Sequence, residues 1–414
     1  MSRTTSIDIS PASDINDLPV ASQPVQFIKR GTPQFMRVTL ALFSAGLATF
    51  ALLYCVQPIL PVLSHEFGVS PASSSVSLSI STAIGLLFTG PLSDAIGRKP
   101  VMVTALMLAS VCTLLSTMMT SWHGILVMRA LIGLSLSGVA AVGMTYLSEE
   151  IHPSFVAFSM GLYISGNSIG GMSGRLLSGV FTDFFSWRIA LAVIGCFALA
   201  SALMFWKILP ESRHFRPISL RPKTLFINFR LHWRDKGLPR LFLMGFLLMG
   251  SFVTLFNYIG YRLMLSPWHL NQAMVGLLSV AYLTGTWSSP KAGAMTARFG
   301  RGPVMLVFTA VMLLGLLLTL FSSLWLIFAG MLLFSAGFFA AHSVASSWIG
   351  PRARRAKGQA SSLYLFSYYL GSSIAGTLGG VFWHHYGWNG VGGFIALMLC
   401  AALLVGASLH QRLR

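Results

Sequence analysis

The sequence predicts an all-α membrane protein in which twelve transmembrane helices form two six-helix repeats. Hydrophobic residues make up 55% of its 414 residues and the mean hydropathy is +0.73. Charged residues make up 9%, whereas soluble domains carry about 25%. A short polar motif between two apolar runs also returns once in the second half of the chain. The length leaves room for about a dozen spans of ~20 residues and short loops.

The apolar runs fall into two blocks of six, and each run is long enough to cross a bilayer as a helix. The second run is rich in serine and short, so we expect its helix to be distorted or to tilt less than its neighbours. The runs cover residues 38–60, 73–92, 100–120, 125–146, 155–181 and 187–208, and then 241–263, 272–292, 303–322, 325–348, 359–383 and 388–409.

Charged segments flank these blocks. Residues 1–36 are rich in Ser, Pro, Thr and Asp and predict a disordered cytoplasmic tail. Residues 209–240 form a basic linker between the halves, 37–208 and 241–410, with an amphipathic helix at about 225–233. If both termini are cytoplasmic, all but four of the 28 Lys and Arg residues lie on that side. The positive-inside rule therefore predicts this orientation, and it accounts for the net charge of +18 without a nucleic-acid partner.

The most specific motif is the polar loop at 90–99, GPLSDAIGRK. Its Gly-Pro pair is expected to end a helix, and Gly97 to allow a tight turn. The pattern returns 203 residues later, where Ala297 replaces Asp94. The matched pairs are Gly90 with Gly293, Gly97 with Gly300, Arg98 with Arg301 and Pro100 with Pro303. Further matches at an offset of 201 residues, between Leu162 and Trp187, indicate an internal duplication.

The charges of this loop have an expected structural role. Asp94, Arg98 and Lys99 can pair with one another and with Glu149 and Glu150 at the end of the fourth helix. A solvated loop whose charges only set the topology is the alternative.

The repeated loop resembles the signature loop of the major facilitator superfamily of transporters, and the resemblance covers about residues 37–409. It implies the major facilitator fold, with parallel repeats around a central cavity and transport by rocking of the two halves. In that family the loop cluster keeps the cytoplasmic side closed in the outward-facing state. Within that family, the chain resembles bacterial inner-membrane drug or arabinose efflux proteins of the proton antiporter type. Where the family has a basic residue after the Asp, this chain has Ala95.

Two further motifs resemble those of the family. Arg129 lies about 10 Å into the fourth helix, where a charge is costly, and the resemblance ties it to proton coupling. The alternative is that Arg129 snorkels to the interface. The glycines of the fifth helix resemble the antiporter motif, although Gly166-Asn167 stands where the motif has Gly-Pro. Close helix packing alone also explains such glycines.

Other polar residues of the spans are candidates for proton coupling or substrate binding. His342 is deep in an apolar run and is either a proton carrier or a packing residue. Arg175 is expected to pair with Asp183 or to line the exit. The candidates for cavity hydrogen bonds are Tyr54, Gln57, Tyr163, Asn167, Asn257, Tyr258, Tyr364 and Tyr368.

Together these features predict a monomeric secondary transporter of the bacterial inner membrane, not an enzyme, that uses no cofactor or metal. Its partners are the lipid bilayer, protons and a small molecule, such as arabinose, a metabolite or a drug, which it exports. A proton-coupled nutrient importer of the same fold and a membrane-embedded lipid-handling enzyme remain as alternatives. No acid lies in the middle third of a predicted span, which favours a neutral or anionic substrate over a cationic drug.

Overall fold

The structure is a computed structural model and describes residues 26–56, 59–68, 71–218, 220–270 and 277–412. Within these ranges almost every residue is helical, apart from turns, linker segments and one isolated β-bridge between Ile28 and Ile151.

The first half of the chain forms six long helices. Side-chain caps mark several of their starts: Ser121 accepts from Gly124 N, and Ser186 accepts from Ile189 N. A short helix, Leu60–Phe67, precedes the second long one. The six are α1 (Pro33–Tyr54), α2 (Pro71–Ile96), α3 (Arg98–Ser116), α4 (Trp122–Glu150), α5 (Val156–Phe184) and α6 (Trp187–Ile208).

The second half repeats this arrangement. A 3-10 turn, Leu277–Leu283, leads into its second helix. The last helical stretch, Lys357–Arg412, is broken at Gly387, whose φ of 58° and ψ of −148° are not helical. The six are α7 (Leu238–Met264), α8 (Thr284–Phe299), α9 (Arg301–Leu318), α10 (Leu324–Arg352), α11 (357–386) and α12 (388–412).

The helices account for the predicted spans. Eight described helices are long and apolar enough to cross a membrane, and the last of these is α11 and α12 joined at Gly387. The other three, α2, α5 and α8 with its preceding turn, pack within the same bundle. The prediction of an all-α membrane protein with twelve transmembrane helices is confirmed.

The second span differs from its prediction. α2 has 26 residues and continues through Pro91 to Ile96, so it is not short and the Gly-Pro pair does not end it. Likewise α8 continues through Pro290 to Phe299. Each polar loop is therefore a single-residue turn, at Gly97 with φ 112° and at Gly300 with φ 80°. A side chain at either position would be strained in this left-handed region.

The end of the N-terminal tail also differs from its prediction. α1 begins at Pro33, where Thr32 accepts a hydrogen bond from Phe35 N, so disorder through residue 36 is wrong for the described residues. Ile28 N donates to Glu150 O at 2.9 Å, and His152 N donates to Ile28 O at 3.0 Å. These bonds hold the segment against the end of α4. Residues 1–25 lie outside the described ranges.

The linker contains the predicted amphipathic helix, at Pro222–Arg234. Phe226 and Ile227 are exposed on it, whereas Asn228 and His232 are buried against the bundle. We call the end of the bundle with this linker and the turns at Gly97 and Gly300 the basic end, and the other the opposite end. α2 packs on α11 and α5 on α8, which joins the two halves.

Candidate functional site

The polar loop forms a buried ion-pair cluster at the basic end. Asp94 and Arg98 are each only 2% exposed. Arg98 Nη1 lies 2.7 Å from Asp94 Oδ1, while Nε and Nη2 donate to the two carboxylate oxygens of Glu149 at 3.0 and 2.8 Å. The planar guanidinium fits this paired geometry, and each buried charge has a partner of opposite sign. The structure thus brings together three of the residues that the sequence predicted to form a gate.

Asp94 also contacts the other half of the molecule. Its Oδ1 accepts from Gly358 N at 3.1 Å, and its Oδ2 accepts from Gln359 N at 3.0 Å. Both donors belong to the first turn of α11, where backbone N–H groups lack helical partners and favour an anion. One carboxylate of α2 therefore caps a helix of the opposite half.

The other two charged residues of the predicted cluster contact the linker. Glu150 accepts from the backbone N and faces the ring Nδ1 of His214, at 2.9 and 3.1 Å. The expectation that Glu150 pairs with Arg98 is therefore wrong, since Glu149 takes that place. Lys99 Nζ lies 3.0 Å from an oxygen of Glu211, which is exposed. The cluster thus extends from the α2–α3 turn to the start of the linker.

The second loop repeats the turn without the ion pair. Ala297 stands at the position of Asp94, and Arg301 Nε is buried without a hydrogen-bond partner among the described residues. The second half instead joins Arg352 Nε to Asp235 Oδ1 at 2.9 Å. Burial acts to raise the pKa of Asp235, but the Arg352 guanidinium and two backbone N–H groups lower it below its ordinary value. This pair holds the end of α10 to the start of α7.

Glycines allow the two halves to touch backbone to backbone. A Cβ on Gly90 would lie 2.5 Å from Gly358 O, and one on Gly358 would lie 2.7 Å from Gly90 O. At the α5–α8 contact, a Cβ on Gly161 would lie 2.5 Å from Ser289 O, and one on Gly293 would collide with Ala157 O. Gly90 and Gly293 are the matched glycines of the repeated loop, so each loop supplies one such contact.

A cavity of about 230 Å³ lies between the halves toward the opposite end. Tyr54 of α1 and Arg175 of α5 line it from the first half. Phe252 and Asn257 of α7, with Tyr282 of the turn before α8, line it from the second half. Both halves thus contribute to one space, on the far side of the bundle from the Asp94 cluster.

Arg175 is held in the wall of this cavity by aromatic rings. Its guanidinium carbon lies 4.1 Å from the ring centroid of Tyr54 and 4.9 Å from that of Tyr282. Its Nη1 donates to Gly171 O at 2.9 Å. The half-buried side chain of Arg175 therefore lies in the wall of the cavity.

Arg129 is buried at the end of α1, with 7% of its surface exposed. Its two terminal nitrogens donate to Leu52 O at 3.4 Å and to Leu53 O at 3.3 Å. These carbonyls belong to the last turn of α1, where a cation is favourable. Arg129 therefore points into the protein rather than toward the interface, and it positions the helix end that carries Tyr54.

His342 lies at the centre of the bundle among aromatic rings. Its Nδ1 is 2.8 Å from the Tyr364 hydroxyl, and its ring lies 5.8 Å from that of Phe338 and 4.7 Å from that of Tyr368. His342, Tyr368, Tyr163 and Asn167 line a void of about 10 Å³, which has space for roughly one water. These four predicted residues are therefore grouped, but away from the larger cavity.

Two predicted cavity residues have other outcomes. Tyr258 donates to Gly376 O at 2.8 Å, so its hydroxyl contacts α11. Gln57 lies outside the described residues. Asn257, one residue before Tyr258, is exposed and does line the cavity.

The sequence did not identify the aromatic residues that connect the lining of the cavity with the lining of the void. The Phe252 ring lies 4.0 Å from Phe338, 5.2 Å from Tyr282 and 4.8 Å from Phe256. With Phe338 stacked on His342, these rings form an aromatic layer of successive contacts from the cavity lining to the void lining. Phenylalanines are ordinary in apolar spans, so no local signal distinguishes these.

Comparisons with known proteins complete the description. The model of the family described as Major Facilitator Superfamily matches residues 42–268 and 241–412. Over the full length of both chains, the sequence is 88% identical to the inner membrane transport protein YnfM of Escherichia coli (strain K12). It is 52% identical to an uncharacterized transporter of Buchnera aphidicola subsp. Baizongia pistaciae, over 95% of this chain and 98% of the relative.

Two solved structures share the fold at low sequence identity. The human organic anion transporter MFSD10 (TETRAN) has a TM-score of 0.74 and 18% identity, over 91% of this chain and 100% of its own. The proton:xylose symporter XylE, bound to 6-bromo-6-deoxy-D-glucose, has a TM-score of 0.69 and 14% identity, over 90% of this chain and 94% of its own.

Proposed function

Because this chain belongs to the Major Facilitator Superfamily, and is thus a transporter and not an enzyme, we propose that it exports a small neutral or anionic molecule in exchange for protons. We place it as a monomer in the bacterial inner membrane with both termini in the cytoplasm. The name of its relative YnfM and the positive-inside count support this placement.

The observation that carries the proposal is the asymmetry between the two ends of the bundle. At the basic end, Asp94 binds the first turn of α11, and Thr145 of α4 donates to Ser361 of α11 at 2.9 Å. At the opposite end, the cavity of about 230 Å³ separates α1 and α5 from α7. A transporter closed on the cytoplasmic side and poised to exchange substrate outside has this arrangement.

Transport then requires the two contacts at the basic end to break while the cavity closes at the other end. The α2–α11 and α5–α8 contacts are backbone to backbone near Gly90 and Gly293, so they hold the halves together at the basic end until it opens. The hydrogen bonds of Asp94 to Gly358 and Gln359 are the part of the interface that must open.

His342 is the proton carrier in this proposal. In the tautomer with hydrogen on Nε2, Nδ1 accepts the hydrogen bond of the Tyr364 hydroxyl. Protonation turns Nδ1 into a donor, so this bond between α10 and α11 must reverse or break. The aromatic layer of Phe338 and Phe252 transmits such a change toward the substrate cavity.

The cavity supports the choice of substrate. Its lining includes Arg175 and Asn257, and none of the described lining residues is an aspartate or a glutamate. A permanent cation would lose hydration there without gaining a negative partner. A sugar such as arabinose, or a small metabolite, suits this lining better.

Export is favoured over import by the glycine pattern of α5, which resembles that of antiporters. A proton-coupled nutrient importer with the same fold remains the second candidate, since XylE combines this fold with proton symport. The direction of proton movement separates the two, because substrate and protons move in opposite directions in the first case and together in the second.

Export from energised cells tests the proposal. Cells that overexpress the protein and cells that lack it are loaded with arabinose, a weak organic acid or ethidium, and efflux is followed with and without an uncoupler. We expect protein-dependent, uncoupler-sensitive efflux of arabinose or the acid. Robust ethidium export would contradict the substrate class, and proton-driven accumulation of arabinose would support the importer.

A further inference from the structure

We propose that the cavity beside Arg175 is a carboxylate site, and that the transported molecule is a small organic acid anion with a short apolar body. This inference rests on the proposed function, since it takes the cavity to be the substrate site. It goes further by naming the group that recognises the substrate.

The contacts that hold Arg175 favour the binding of a carboxylate. The faces of Tyr54 and Tyr282 flank its guanidinium, and Gly171 O accepts from Nη1. These contacts with two rings restrain the guanidinium in the cavity wall. A planar guanidinium presents paired N–H groups that match the two oxygens of a carboxylate. Holding the guanidinium in advance lowers the entropy lost on binding.

The charge of the cavity lining favours an anion. Among the described residues that line the cavity, Arg175 carries a positive charge and none is an aspartate or a glutamate. The acids with described ion pairs lie elsewhere. Glu66 pairs with Arg188 at the surface of the opposite end, and the others are at the basic end: Asp94, Glu149, Glu150, Glu211 and Asp235. An anion entering the cavity therefore meets a positive wall of low polarity, where a charge-assisted hydrogen bond is strong.

The size and shape of the cavity favour a small ligand with an apolar body. A cavity of about 230 Å³ lies below the roughly 300–1,000 Å³ of sites for drug-sized ligands. Phe252, Phe256 and Leu278 give the cavity an apolar side, and the exposed amide of Asn257 adds a hydrogen-bonding group. An anion of about ten non-hydrogen atoms, with its carboxylate on Arg175 and its body against the phenylalanines, suits this space.

The test compares three molecules of nearly equal shape and different charge. Benzoate is an anion, benzamide is neutral and benzamidine is a cation at pH 7.5. Binding of each to the purified full chain in detergent is measured by isothermal titration calorimetry, without any gradient. We expect benzoate to bind roughly tenfold to a hundredfold more tightly than benzamide, because its hydrogen bonds to Arg175 are charge-assisted. Benzamidine should not bind.

Variants assign the effect to the proposed residue. Arg175→Gln should lose the preference for benzoate over benzamide, and Arg175→Lys should keep part of it because the charge remains but the planar fork does not. Arg188→Gln is the matched control, because it removes an arginine near the same end that pairs with Glu66 at 2.9 Å. If Arg175→Gln does not fold, the comparison of benzoate with benzamide on the unaltered chain still decides.

The outcomes separate this inference from the proposed function. Equal binding of benzoate and benzamide, or full benzoate binding by Arg175→Gln, would overturn the carboxylate site. If benzoate binds through Arg175 but reconstituted protein never moves it across a vesicle membrane, the site stands and the proposed function fails. If arabinose is exported while benzoate does not bind, the proposed function stands and the carboxylate site fails.

Discussion

Replacing Asp94 by asparagine perturbs the contact that closes the basic end. The carboxylate of Asp94 accepts two hydrogen bonds from the first turn of α11, and Arg98 Nη1 lies 2.7 Å from it. Asparagine keeps one acceptor oxygen, but its amide N–H₂ then faces a backbone N–H group of α11. The variant therefore loses one charge-assisted hydrogen bond between the halves, and Arg98 keeps its pairing with Glu149 and its hydrogen bond to Ser93.

The size of the effect follows from that lost bond. A hydrogen bond to a charged group contributes about 1.5–3 kcal/mol. Because ~1.4 kcal/mol is a factor of ten, the ratio of molecules closed at the basic end to molecules open there should fall roughly tenfold to a hundredfold. Transport should collapse while expression stays nearly intact, because the bundle itself is unchanged.

The assay is the labelling of a cysteine placed at the contact. Ser361→Cys is introduced after the four native cysteines are replaced by serine, and a membrane-impermeant maleimide is added to inverted vesicles. Ser361 is 1% exposed, so labelling reports opening of the basic end. We expect Asp94→Asn to speed labelling tenfold or more, and Asp183→Asn, which removes an exposed acid, to leave it unchanged. Wild-type labelling and full transport by Asp94→Asn would refute the gate.

Three further predictions concern single residues. Arg129→Lys should impair transport and Arg129→Ala should abolish it, because the hydrogen-bond donors to the last carbonyls of α1 are lost. If Arg129→Ala transports at the wild-type rate, Arg129 has only a minor role in transport. His342→Gln keeps a hydrogen-bonding group near Tyr364 but cannot bind a proton. The variant should therefore exchange substrate across a vesicle membrane without coupled proton movement. A substrate-dependent pH change inside the vesicles would contradict this role. Burial lowers the pKa of His232, although Asp94 and Asp235 act to raise it. Because unfolded histidine binds a proton near pH ~6.5 and the folded group resists it, the stabilisation present above that pH should be lost as the pH falls below it. Thermal unfolding from pH 7.5 to 5.5 should therefore show a drop in midpoint that His232→Gln reduces, and an equal drop in the variant would exclude His232.

The sequence carried enough information to predict the twelve helices and the core of the ion-pair cluster at the basic end. The thickness of the bilayer sets the length of the apolar runs. The turns at Gly97 and Gly300 are recognisable because both are glycines at matched positions of the two repeats. Asp94 and Arg98 are four residues apart at a helix end, and Glu149 ends a helix at the same face. Such contacts follow from local spacing and from the repeat.

Other features depend on contacts between distant segments. Gly90-Pro91 looks like a helix end, yet α2 continues through Pro91 and packs Gly90 on Gly358 of the other half. Glu150 pairs with His214, which lies in the linker and follows no motif. Tyr282 resembles any tyrosine of a span, and only the packing of α5 against the turn before α8 places it over Arg175. The hydrophobic periodicity of a single segment carries no information about these pairs of residues.

Rocking of the halves requires them to separate at the basic end during every transport cycle. Thr145 and Ser361 face each other across that contact, with their hydroxyl oxygens 2.9 Å apart. In a chain without its native cysteines, Thr145→Cys with Ser361→Cys should form a disulfide on oxidation, because the two positions are within bonding range. We predict that oxidation stops transport, that reduction restores it, and that either single variant is insensitive to both treatments. Continued transport at the full rate with the disulfide fully formed would contradict alternating access by rocking of the halves.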